Sequence, residues 1–138
     1  MNPVRGLAMC AAVAAAFLTT TGVASAAAAV PFQVAPAPFG NPNGSFDVPA
    51  IRCATVVGER PGDLTITGSM PGRWGCLINA EARWLNLSTG ASGTARLSDG
   101  LHGYPPEATV HTGAGQVAVV LIPLPGSVTP GVAAVAVP

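Results

Sequence analysis

After Phe46 no stretch of this chain sustains an apolar period of 3.6 residues, and every apolar run is soon cut by a glycine or a proline. Amphipathic helices need that period over several turns, so the chain is confined to short extended segments joined by turns. With 17 glycines and 14 prolines in 138 residues, the interruptions are frequent enough to set the length of each segment. Strands are read at 51–57, 63–68, 76–87, 93–98, 107–112, 115–123 and 131–137. Gly58-Glu59-Arg60-Pro61-Gly62, Met70-Pro71-Gly72, Thr89-Gly90-Ala91-Ser92 and Gly113-Ala114 separate them, and Pro123 to Pro130 forms the last connection.

Within these runs the side chains alternate as a two-layer fold demands. Glu81 and Arg83 alternate with Ala80, Ala82 and Trp84, which puts charge on one face and the indole on the other. Val117-Ala118-Val119-Val120-Leu121-Ile122 is apolar on both faces, as befits a strand in the middle of a sheet. About seven short strands at turn-punctuated spacing read as an all-β, immunoglobulin-like β-sandwich. Thr67-Gly68, Thr89-Gly90 and Thr112-Gly113 recur at intervals of 22 and 23 residues, and Ser88-Thr89-Gly90-Ala91 echoes His111-Thr112-Gly113-Ala114. That interval is read as the length of two strands and a turn rather than as a repeat architecture.

The N-terminal segment follows a different logic. Arg5 precedes an apolar run from Gly6 to Leu18, and a small-residue segment closes with Ala24-Ser25-Ala26. This is the pattern of a secretory signal peptide over 1–26, cleaved to leave a chain that starts near Ala27. The apolar run is shorter than the roughly 20 residues a membrane-spanning helix requires. Residues 27–45 carry Pro31, Pro36, Pro38 and Pro42 and are read as a Pro/Ala-rich linker or extended arm, with the domain at 46–138. Export leaves Cys53 and Cys76 in an oxidising compartment, where an even pair reads as one disulfide. In an up-down-up strand order both cysteines lie near strand starts at the same end of the molecule.

Charge and motif content exclude several functions. The mature chain holds five arginines and six acids, no lysine, and so a net charge of about minus one. It has no basic stripe for nucleic acid and no polybasic cluster for an anionic membrane. It lacks Gly-x-Ser-x-Gly and Ser-x-x-Lys motifs, and His102 and His111 stand at no standard metal-ligand spacing. No catalytic residue, metal or cofactor is assigned. Asn43-Gly44-Ser45 and Asn86-Leu87-Ser88 match the N-glycosylation triplet and are given no weight in a GC-rich, bacterial-type composition.

The richest polar stretch is the loop from Ser98 to Glu107, with Asp99, His102 and Tyr104. Binding residues concentrate on loops carried by rigid scaffolds. Trp74, between glycines and beside Cys76, is the other exposed-aromatic candidate. The candidate ligand-binding residues are therefore Trp74, Asp99, His102 and Tyr104.

Arg83-Trp84-Leu85-Asn86-Leu87-Ser88-Thr89-Gly90 with Gly93, then Ala108-Thr109 and Thr112-Gly113-Ala114-Gly115, resemble a family of small exported proteins of mycobacteria and nocardiae. The Cys53 and Cys76 pair and the ending from Pro130-Gly131 to Val137-Pro138 are similar too, so the likeness covers roughly 50–138. The resemblance implies a fold and an export route, and it transfers no activity and no site residue. The leading expectation is a secreted, non-catalytic binding or structural module of the bacterial envelope or medium that contacts another protein, such as an envelope protein, or the envelope itself. The alternative is a carbohydrate-binding module that stacks a cell-wall glycan on Trp74 and Tyr104, and a secreted hydrolase comes third.

Overall fold

The computed structural model describes residues 26–37, 51–68, 74–123 and 129–138. The expected leader apart from Ala26, residues 38–50 with the second part of the expected linker, the Met70-Pro71-Gly72 turn and residues 124–128 of the last connection lie outside the described residues. Eight strands form: β1 (Ala28–Pro31), β2 (Ala54–Val57), β3 (Asp63–Thr67), β4 (Glu81–Asn86), β5 (Ser92–Arg96), β6 (Ala108–His111), β7 (Gly115–Ile122) and β8 (Gly131–Val137). No α-helix occurs among the described residues; Leu101–Gly103 makes a single 3-10 turn. The strands build two antiparallel four-stranded sheets, ordered β1-β2-β3-β6 and β5-β4-β7-β8.

The period-2 pattern decides which side chains meet between the sheets. Along β8, Gly131, Ala133, Val135 and Val137 are buried while Val132, Ala134 and Ala136 are exposed. Val117, Val119 and Leu121 of β7 face Leu64 and Ile66 of β3 in one core cluster, and all five are fully buried. Burying each such side chain contributes about 1.5–3 kcal/mol. β7 lies between β4 and β8, the central position that its doubly apolar sequence requires. Trp84 points toward the core from β4, as the alternation predicts, but it is only half-buried. Its ring lies across Gly93, its partner on β5, where a Cβ would come within 2.8 Å of the indole.

The disulfide joins the lead-in of β2 to the lead-in of β4, so it staples one sheet to the other. Closing that loop of 23 residues constrains the unfolded chain by about 3 kcal/mol. The run expected as a strand over 76–87 is ordered as a strand only from Glu81. Cys76 is committed to the staple, and Asn79 takes a left-handed φ of 51°, which breaks the extended backbone before Ala80.

The stretch from Ala28 to Ala37, read as part of a linker, packs on the sandwich. β1 pairs with β2, Val30 packs against the core and Phe32 is buried. The chain then crosses to the other sheet, where Val34 bridges Val132 and Ala37 bridges Thr129. Gln33 accepts the Ala134 N–H at 2.6 Å. Prolines suit this arm because edge strands do not need every N–H. Gly131 has no side chain, and that lets Phe32 and Pro36 approach β8: a Cβ there would lie 2.9 Å from Pro36 and 3.0 Å from Phe32.

Candidate functional site

The segment linking β5 to β6 crosses from one sheet to the other and is tied at its base. Ser98 donates its N–H to the Glu107 carbonyl at 3.0 Å, and the Ser98 hydroxyl accepts the Glu107 N–H at 3.0 Å. Pro106 is buried beneath it. Further out, Asp99 Oδ1 accepts the Leu101 N–H at 2.9 Å, the self-bonded turn that aspartates favour. Gly100, His102 and Gly103 all adopt left-handed φ values, of 71°, 58° and 81°. Tyr104 closes the turn by donating its N–H to the Leu101 carbonyl at 3.2 Å.

Trp74 belongs to the same surface. It precedes Gly75 and Cys76, a segment held by the disulfide and by the bond from Arg52 N–H to the Gly75 carbonyl at 2.7 Å. Its six-membered ring lies directly against Gly100: a Cβ at Gly100 would sit 3.0 Å from the ring and 3.2 Å from Ile78. The result is an apolar rim at one end of the sandwich, with Trp74 53%, Ile78 52%, Leu101 58% and Tyr104 74% exposed.

Of the four residues expected from the sequence, Trp74 contacts the loop directly, and His102 and Tyr104 stand exposed on it. Asp99 is on the same loop, with one carboxylate oxygen holding the turn. Ile78 and Leu101 were not expected. An isolated aliphatic residue in a strand or loop gives no sequence signal; the signal here is spatial, through Gly100.

Polar groups gather elsewhere. The β3–β6 register sets Asp63 opposite His111, and His111 Nδ1 lies 2.8 Å from Asp63 Oδ1. Two residues along, on the same face, the Thr65 and Thr109 hydroxyls share a hydrogen bond of 2.8 Å. These residues are more than forty positions apart in the chain, so only strand pairing shows them as neighbours. Among the described residues no three His, Cys, Asp or Glu side chains converge as a metal site, and no helix is long and apolar enough to cross a membrane.

Comparison with protein-family models, with curated proteins and with solved structures finds no match for this chain.

Proposed function

We propose that this chain is an exported, non-catalytic binding module with an immunoglobulin-like fold, and that it grips a protein partner of the cell envelope through the rim of Trp74, Ile78, Leu101 and Tyr104. The observation that carries the reading is the exposure of four large apolar side chains on two adjoining segments, Trp74 and Ile78 ahead of β4 and Leu101 and Tyr104 on the tied β5–β6 loop, which meet at Gly100. Aromatic side chains ringed by aliphatic ones are the usual anchors of protein interfaces. A glycan site would place polar side chains among the rings to meet sugar hydroxyls. Here Asp99, on the same loop, spends one oxygen on its own turn, and His102 is the one exposed polar side chain between Leu101 and Tyr104.

The immunoglobulin-like assignment is supported by connectivity. The β4–β5 and β7–β8 hairpins share one sheet, with β4 and β7 adjacent, while β3 crosses over to pair with β6. This arrangement matches the Greek-key connections of that class, with β1 added outside β2. The disulfide departs from the antibody-type bridge between central strands, because it joins segments that precede β2 and β4. Export rests on the leader pattern of residues 1–26 and agrees with the disulfide.

A photo-crosslinking amino acid placed at position 104 tests the reading in cells that export the protein. The expected result is one dominant protein adduct, lost when Trp74→Ala and Leu101→Ser are added, with the melting temperature unchanged. An adduct that survives both substitutions removes the rim from the interface. Saturable quenching of Trp74 fluorescence by cell-wall glycan, with no protein adduct, gives the site to a sugar instead.

A further inference from the structure

Away from the rim, the face of the β1-β2-β3-β6 sheet that points away from the core holds a cavity of about 240 Å³. Val56, Asp63, Thr65 and Thr109 line it from the strands, and Glu59 and Arg60 line it from the turn between β2 and β3. Two carboxylates and one guanidinium thus meet a pair of hydroxyls over one apolar side chain.

The turn is held rigidly. Asp63 donates its N–H to the Arg60 carbonyl at 3.2 Å, which closes a four-residue turn and keeps the two residues close. Gly62 donates to the Pro138 carbonyl at 2.9 Å and accepts from Thr112 and Gly113 at 2.8 and 3.1 Å. Gly62 has a φ of 75°, and a Cβ there would lie 2.7 Å from His111 Cε1, so the imidazole rests on the bare glycine. His111 in turn occupies Asp63 Oδ1, and among the described residues no donor takes Oδ2. Arg60, flanked by Glu59 and Asp63, forms an ion pair with neither.

The mixture of charges narrows the ligand. The two carboxylates repel a simple anion, and the guanidinium repels a simple cation. The volume lies below the roughly 300–1,000 Å³ of sites for drug-sized molecules. We propose that this cavity binds a small zwitterion of the α-amino-acid type: its carboxylate meets the Arg60 guanidinium, its ammonium meets Asp63 Oδ2 and Glu59, and its side chain rests on Val56. The Thr65–Thr109 pair supplies the remaining hydroxyl donor and acceptors. This site is independent of the Trp74 rim, and neither reading depends on the other.

Titration of the disulfide-intact protein with L-alanine, followed by amide NMR, tests the proposal. Saturable shifts confined to residues 59–63, Thr65, Thr109 and His111 are expected, with a dissociation constant on the order of 1 mM. Arg60→Ala and, separately, Asp63→Asn should each weaken binding about tenfold or more. Arg60 is exposed, so its variant should keep a dispersed spectrum. N-acetyl-L-alanine lacks the ammonium and L-alaninamide lacks the carboxylate, so both should fail to saturate. The proposal is overturned by L-alanine shifts that do not saturate by about 50 mM, by shifts unchanged in both variants, or by equal binding of the two blocked analogues. Saturation by glucose and not by L-alanine overturns it as well and makes the cavity a saccharide site.

Discussion

Two polar side chains in this molecule each organise a turn, and they do so with opposite consequences. Asn86, at the end of β4, is fully buried. Its Nδ2 donates to the Thr112 and Ala114 carbonyls at 3.0 Å each and to Gly113 at 3.3 Å, while Oδ1 accepts the Ser88 and Thr89 N–H groups at 2.9 and 3.1 Å. It locks the β4–β5 turn to the β6–β7 turn. Asp99 holds only its own loop, through one bond to Leu101, and it is exposed. A buried amide with every donor and acceptor engaged specifies architecture, because each bond that is lost leaves a group in the dark without water. An exposed carboxylate that shapes a loop can be replaced by solvent, so the loop is free to vary and to bind.

Breaking the first of these should cost most. Asn86→Ala strands the Thr112 and Ala114 carbonyls and two N–H groups, while the Gly113 carbonyl keeps the Thr112 hydroxyl, and a loss of about 3–4 kcal/mol is expected in denaturant unfolding. If the loss stays below 1 kcal/mol, water replaces the amide and the network is not what joins the turns. Gly100→Ala comes next, at about 1–2 kcal/mol, because the left-handed backbone and the overlying Trp74 ring both resist a Cβ. The same variant should shift the Trp74 emission as the ring lifts, and unchanged emission would show that the ring does not rest there. Thr67 supplies a contrast of opposite sign: its hydroxyl is buried with no partner among the described residues. Thr67→Val keeps the shape and removes the unpaired group, so stability should rise by about 1 kcal/mol, and a fall in melting temperature would mean that the hydroxyl has a partner. Asp99→Ala should change stability least, within about 0.5 kcal/mol. A larger fall would place Asp99 with Asn86 as an architectural residue.

The sequence made the seven strands from β2 to β8 legible because glycine, proline and turn residues punctuate short β-prone runs, which alternate in β4, β5 and β8 and stay mostly apolar in β2 and β7. Trp84 was placed on its correct face for the same reason, although only half-buried, since its neighbour on β5 is a glycine. β1 was missed. Four prolines outweighed the Val30 and Phe32 alternation, yet an edge strand tolerates proline where a central one does not. The echo between Ser88-Thr89-Gly90-Ala91 and His111-Thr112-Gly113-Ala114 was visible in the sequence, but its meaning was not. The two turns lie on either side of Asn86, and nothing in one dimension says that a single amide serves both. The same limit hid the Asp63–His111 pair, the cavity beside it, and the share of Ile78 and Leu101 in the rim, all of which exist only once strand register and loop packing are fixed.

The arm from β1 to Ala37 has a consequence for solubility. β8 is an outermost strand, and its sequence, Gly131-Val132-Ala133-Ala134-Val135-Ala136-Val137, carries no charge and no proline. Uncharged, β-prone segments on a sheet edge are templates for strand addition by another molecule. Val34 exchanges backbone hydrogen bonds with Val132 at 3.1 and 2.9 Å, and the Gln33 side chain occupies the Ala134 N–H, so the arm already fills the start of that template. Peeling the arm away would uncover a sticky margin long before the core melts. Fibrillation on mild heating, seeded at β8 and suppressed by a charged residue at position 134, is how this protein is expected to fail.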